Sequence, residues 1–378
     1  MLVSKISSPS AARRRLAVCL GLMAASTTLL ASPKSELPAG YPQRGLNWIV
    51  PFPAGSATDQ LARVLAEHVG KAAGQAVVVD NKPGANGTLG TGAAAKAAPD
   101  GYNFLIATST THAANASLYR KLPYDPIKDF TPVSRLAEIP FIMLVNPTVP
   151  ADTAEKFVAY VKANPDKLAW GSGSSGSLIP GHALVHANKL VMAHIPYKGV
   201  QPAMTDTMGG TIQLVFGDLA SGVPQVKAGK LRALAVTSGK EHPMLPGVPT
   251  MTKSVVPGFE MTAWFAMYAP AGTPEPVLAK MNQWVRSALT DKSVQAKLAL
   301  SGFELTPSTP APAGTPEPVL AKMNQWVRSA LTDKSVQAKL ALSGFELTPS
   351  TPPELGLFAA KETLKWAKAV QAAGINAE

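Results

Sequence analysis

Apolar and polar positions switch between two spacings along the chain, and the switches come in a regular order. Residues 46–52 (LNWIVPF) form a short apolar run rich in β-formers. It gives way to ATDQLARVLAEHVGKAA, where Leu61, Val64, Leu65 and Val69 recur at helical spacing and Thr58 or Asp59 is placed to cap the helix. QAVVVDN (75–81) predicts a second strand, PGANGTLG a glycine-rich loop, TGAAAKAAP a helix ended by Pro99, and DGYNFLIAT a third strand. The middle of the chain repeats the grammar. PFIMLVNP (140–147), KLAWGSGSSG, MAHIPYKG, IQLVFGD and LRALAVTS read as strands, the second running into a Gly/Ser loop. TAEKFVAYVKANP, HALVHANKL, QPAMTDTMGG and SGVPQVKAG read as the helices between them. MTAWFAMYAP is a further strand, and PELGLFAAKETLKWAKAVQAAG is a final helix closing on Gly374. This alternation predicts an α/β protein with mainly parallel sheets flanked by helices, divided into two lobes. In such sheets ligand sites are expected at loops beyond the carboxyl ends of strands.

One segment breaks the alternation. Residues 269–310, APAGTPEPVLAKMNQWVRSALTDKSVQAKLALSGFELTPSTP, recur without a change at 311–352. Stacked repeat folds need three or more units, usually diverged, so a perfect pair reads as a tandem duplication or a sequence-assembly error that does not itself encode function. Removing one copy leaves 336 residues. Each copy holds an amphipathic helix whose stripe is Val277, Leu278, Met281, Trp284 and Val285 in the first copy and Val319, Leu320, Met323, Trp326 and Val327 in the second. The fold offers one docking site, so one copy is expected to dock and the other to leave the body as a helical excursion with an exposed apolar face.

Composition narrows the classes. Of 378 residues, 46% are hydrophobic and 16% charged, which is material for a core and against extended disorder. Lys5 and Arg13–Arg15 precede the apolar run LAVCLGLMAASTTLLA, a pattern that predicts a secretory leader over residues 1–31 and a soluble exported protein. The run is shorter and more polar than a spanning helix needs. Cys19, the single cysteine, falls inside that leader, so the exported part has no disulfide and no cysteine metal site. The leader carries four basic residues and no acid, which reduces the formal charge of +11 to +7 for the remainder. The remaining basic residues are scattered and aromatics make up only 6%, which argues against a nucleic-acid groove. The residual charge fits plain solubility or a mild field that attracts anions.

Catalytic motifs are thin. No serine of GSGSSGS (171–177) has glycine two positions before and after it, so the nucleophile elbow is not met. His182 and His186 are four apart, but Ala183 stands where a zinc protease has glutamate, and ordinary structural histidines explain them without a metal. GxxxxGK is absent, and Gly90, Gly92 and Ala95 lie too far past the preceding strand for a dinucleotide turn. What remains are loops of small residues at strand ends. PFPAGSATD (51–59) leads into a helix N-terminus, GSGSSGS does so in the second lobe, and STTH (109–112) adds hydroxyls at a third strand end. Free N–H groups and the positive end of a helix suit a small anion. No cofactor is implied.

These stretches carry a resemblance. YPQRGLNWIVPFPAGSATDQLAR, VVVDNKPGANGTLG and AAPDGYNFLIATSTTHAANASLYRKLPYDPIKDFTPVS, followed by WGSGSSGS, AHIPYKGVQPAMTDTMGG, GKLRALAVTS, APAGTPEPV and KWAKAVQAAGI, resemble in order the Bug-type receptors of tripartite tricarboxylate transporters. The resemblance covers nearly all of residues 41–378. It implies a two-lobed (type II-like) periplasmic binding protein, not an enzyme, that closes over a carboxylated small molecule and hands it to membrane transporter subunits; a monomer is expected. Lobe 1 would comprise 41–138 plus 262–378, and lobe 2 residues 139–261. The resemblance places ligand contacts at Ala54, Gly55, Ser56 and Asp59 in the first loop and at Ser174, Ser175 and Ser177 across the cleft. Ser109, Thr110 and His112 fall in the third segment, and Asp218 beside the ligand's distal end. Asp59 serves equally as a helix cap. Gly55-Ser56 stands where the family usually has two glycines, and GHALVHANKLVMA is a few residues shorter than usual. The competing reading is an exported serine hydrolase using a serine of GSGSSGS with His182 or His194.

Overall fold

The computed structural model describes residues 37–305 and 352–375. The leader 1–31 and nearly all of the second copy of the doubled segment lie outside the described residues.

The first βαβ unit follows the apolar spacing closely. Strand β1 (Leu46–Val50) is central, with Trp48 fully buried, and pairs in parallel with β2 (Val77–Asn81) and β3 (Asn103–Thr108). Helix α1 (Ala57–Ala73) connects β1 to β2 and buries Leu61, Leu65 and Val69. Its first turn is capped by Ser56, and it ends at Gly74 in the left-handed region (φ +67°), which suits a residue without Cβ. The glycine-rich loop is shorter than expected, because helix α2 (Thr88–Ala95) already starts at Thr88. After β3 the chain makes a π-helical turn (Thr110–Ala114) and a short helix α3 (Asn115–Leu118).

Strand β4 (Phe130–Val145) then runs 16 residues, twice the length the apolar run 140–147 suggests. Its first part carries Pro132, Arg135 and Glu138, which hides the strand from any apolar pattern, yet it pairs antiparallel with β9 (Thr262–Pro270). Its second part pairs antiparallel with β7 (Leu214–Asp218) and β8 (Arg232–Val236). Next come α4 (Ala154–Ala163), β5 (Ala169–Ser172), α5 (Ser175–Asn188) and β6 (Ala193–Pro196), then α6 (Val200–Met208) before β7, α7 (Leu219–Lys227) between β7 and β8, and the short α8 (Met251–Ser254). The spatial order is β2-β1-β3-β9-β4-β7-β5-β6, with β8 and the two-residue β10 (Glu304–Leu305) also pairing with β4.

The sheet is therefore mixed, not mainly parallel as expected from the alternation. The βαβ steps do pair in parallel, β1 with β2 and β3, and β5 with β6 and β7. The antiparallel pairs all involve β4 or β9, the strands that carry the chain out of the first group of elements and back into it. The expected boundary at 138/139 falls inside β4, which serves both groups.

The first copy of the doubled segment is docked. It forms α9 (Glu275–Thr290) and α10 (Lys292–Ala299), with Val277, Met281, Trp284 and Val285 buried against α1 and β4. Asn282 Nδ2 donates to Val133 O at 2.7 Å, and Gly101 (φ +83°) lets Val277 come so close that an added Cβ would lie 2.4 Å from it. Burial of each such side chain stabilises by roughly 1.5–3 kcal/mol, which explains why the apolar stripe was legible. Helix α11 (Pro352–Ala372) packs on the π-helical turn and on β4 and buries Trp366 and Val370.

Candidate functional site

Several helix starts meet at one cavity. Ser56, Ala57 and Thr58 open α1, Val200 and Gln201 open α6, Asp218 caps α7, Ser174 caps α5, and Ser109 and Thr110 follow β3; all of them line it. Phe52, Phe141 and Phe265 supply apolar wall. The cavity is about 50 Å³, room for a few waters. No lysine or arginine lines it among the described residues. Anion stabilisation here would come from hydroxyls, helix N–H groups and dipole ends.

The first loop is braced from outside the cavity. Ser56 Oγ accepts from Asp59 N–H at 3.2 Å, while Asp59 Oδ2 accepts from Gly55 N–H at 2.9 Å and from Arg63 Nε at 3.0 Å. Arg63 Nη2 lies 2.9 Å from Asp59 Oδ1 and also donates to Asn81 Oδ1. Burial pushes the Asp59 carboxyl up, but the hydrogen bonds from Arg63, Gly55 and Asn81 outweigh it and hold the group below its usual range. Asp59 thus clamps the loop, and neither it nor the exposed Ala54 and Gly55 lines the cavity. The helix N–H groups of Ala57 and Thr58 take no partner among the described residues.

The Gly/Ser loop spends most of its polar groups on itself. Ser174 and Ser177 form a reciprocal capping box. Ser177 Oγ accepts from Gly173 N–H (2.9 Å) and Ser174 N–H (3.1 Å) and donates to Ser174 O (2.9 Å). Ser175 Oγ is fully buried, accepts from Asn86 Nδ2 at 2.9 Å and donates to Asn115 Oδ1 at 3.3 Å. Asn86 sits in the left-handed region (φ +55°), a conformation Asn tolerates better than most residues. Of the three serines expected here, only Ser174 lines the cavity.

His112 lies elsewhere. It is buried among Tyr124, Phe130 and Tyr268, with Nδ1 3.0 Å from Thr111 Oγ1, and burial holds its pKa down to about 3. Asp218 lines the cavity; burial pushes its pKa up, opposed by donors that include Ser221. The sequence reading missed Thr108 and Gln201, whose Oγ1 and Nε2 are buried without a partner at the cavity. The strand-end rule that singled out Ser109 extends one residue back to Thr108, and Gln201 occupies the first turn of a helix after a strand.

Ser174 also lines a second cavity of about 290 Å³, with Asn86, Tyr119, Ser172, His194 and Lys198 among others. Ser172 Oγ and His194 Nε2 are 2.8 Å apart there. Burial, with His182 nearby, lowers His194 to about 4, and its ring stacks on Trp170 at 4.2 Å. No cluster of metal ligands exists among the described residues.

The model of the tripartite tricarboxylate transporter family receptor matches residues 61–310. The chain belongs to this receptor family. BugT of Bordetella pertussis is 35% identical over 301 residues, 78% of this chain and 91% of its own. Among solved structures, the periplasmic binding protein BugD shares 32% identity with a TM-score of 0.75, covering 89% of this chain and 100% of its own. Rpa4515 of R. palustris, solved with adipate, gives 28% and 0.75 over 89% and 100% of the two chains. MatC of Rhodopseudomonas palustris, solved with bound malate, gives 29% and 0.71 over 87% and 100%. The receptor fold is thus the α/β periplasmic binding type with a curled mixed sheet, and carboxylates occupy related receptors. Among the described residues of this receptor no helix is long and apolar enough to cross a membrane.

Proposed function

We propose that this receptor captures a small carboxylate in the cavity between the two groups of strands and delivers it to tripartite-type transporter subunits, without catalysis. The observation that carries the reading is the meeting, among the described residues, of hydroxyls and helix N–H groups without a partner at one cavity that no lysine or arginine lines. A carboxylate matches those donors without requiring a charged partner. The groups of strands act as two lobes, and closure about the crossing strands β4 and β9 traps the ligand. The leader pattern of residues 1–31 supports export to the periplasm.

The test is a thermal melt against mono-, di- and tricarboxylates. A ligand at a hundred times its Kd adds about 2.7 kcal/mol to stability. A sharp melt unmoved by every acid would overturn the proposal. One observation favours a hydrolase as second reading, the Ser172–His194 pair. Against it, the N–H groups of Gly173 and Ser174, which directly follow Ser172 in the chain, are already given to Ser177 Oγ. Turnover of model esters that disappears in Ser172→Ala would favour the hydrolase.

A further inference from the structure

Given a cavity that takes a carboxylate, we infer that Asp218 makes this receptor select acids that also carry a hydrogen-bond donor, an ammonium group best of all, over dicarboxylates of the same length. The inference rests on the proposed function and refines its ligand class. Polar groups around the cavity are unevenly matched. Thr108 Oγ1 and Gln201 Nε2 are buried with no partner among the described residues, so hydrogen-bonding capacity waits there for an acceptor. Asp218 has the opposite imbalance. Its Oδ1 accepts from Ser221 N–H and Ser221 Oγ, each at 2.8 Å, the backbone N–H groups of Ala220 and Asp218 itself add weaker support, and as an acceptor-only carboxylate it has capacity left for a donor. It is the single ionisable side chain lining the cavity among the described residues, at the end of β7 and in register with the apolar Phe141 of β4.

A ligand with an acceptor at one end and a donor at the other satisfies both imbalances. A dicarboxylate would set a second negative charge against Asp218 in a place where no lysine or arginine lines the wall. Burial raises the cost of the Asp218 charge and, despite the donors at Ser221 and Ala220, holds its pKa above the usual carboxylate value, which increases what a cationic partner contributes.

Isothermal titration of the full chain with length-matched acids tests this: β-alanine, 3-hydroxypropionate and malonate, then 4-aminobutyrate, 4-hydroxybutyrate and succinate. The best amino or hydroxy acid is expected to bind at least about tenfold more tightly than the dicarboxylate of its set. Asp218→Asn keeps a capping side chain on α7 and should shrink that ratio to within about threefold. Gln201→Met should weaken every acid by a similar factor and leave the ratio intact. A dicarboxylate that binds best to the unmodified protein overturns the inference by itself, whether or not Asp218→Asn folds. A ratio unchanged in a folded Asp218→Asn also overturns it. Binding by no acid of any set would instead sink the carboxylate reading, and this inference with it.

Discussion

The loops at 51–59 and 171–177 look alike as sequence and differ as structures. Both join a strand to a helix, both are rich in small residues, and both put a serine on the helix cap. The first is held by a charged clamp set behind it, Asp59 with Arg63 and Gly55 N–H, which leaves the first turn of α1 free to face the cavity. The second is held by hydroxyls of its own, so Ser177 closes the turn and Ser175 is bonded to Asn86 and Asn115 on another part of the chain. A charged residue thus spares the ligand-facing groups in one loop, while in the other the same hydroxyls that could meet a ligand are consumed by structure. Counting serines overstates the second loop as a binding surface.

This contrast breaks most directly at Ser177. Ser177→Ala leaves the Gly173 and Ser174 N–H groups without their acceptor and should cost about 2–3 kcal/mol of stability in denaturant unfolding. A loss near zero would mean that the hydroxyl is not what holds the turn. Asp59→Asn should cost less, about 1–2 kcal/mol, because Arg63 is largely exposed and its pairing is screened. Ser56→Ala, which removes one cap, should cost about 1 kcal/mol, yet lower ligand affinity more than Ser177→Ala does, since Ser56 lines the cavity.

Acid sharpens the comparison further. Asp59 titrates below its ordinary value of 3.8 in the folded protein, so its stabilisation is complete above that value and fades as pH falls through the lower folded pKa. Hydrogen exchange at Gly55 N–H should therefore lose protection at acid pH before that at Gly173 N–H, whose acceptor is a hydroxyl. Acid also acts through His112. Its folded pKa, about 3, lies below the unfolded 6.5, so stability should fall as pH drops through that interval, by about 1.4 kcal/mol per pH unit. His112→Asn should flatten that slope in a melt series.

Much of the fold was legible because helical and strand spacing agree with packing wherever an element has one buried face, as in α1 and in the Trp284 stripe. The first part of β4 was not, since Pro132, Arg135 and Glu138 interrupt its apolar pattern and its strand character comes from pairing with β9. The mixed sheet was hidden for the same reason: direction of pairing at β4 and β9 depends on where the chain crosses, which local spacing does not encode. At the cavity, strand ends and helix starts pointed to the loops that hold Ser56, Ser109, Thr110 and Ser174, while Asp218 came only from the family resemblance. They could not say that His112 would turn into an aromatic core or that Ser175 would bond to Asn86, because those partners lie far along the chain.

The sharing of β4 has a consequence for anyone exchanging parts between relatives. A chimera joined at residue 138 would graft one protein's strand onto another's halfway along, in the stretch where β9 and β10 both pair with it. The register downstream, against β7 and β8, would then be inherited from the other parent. The transferable module in this receptor is consequently not a half but a half together with the whole of β4 and its facing strand β9, and specificity swaps that respect that seam should fold where those cut across it fail.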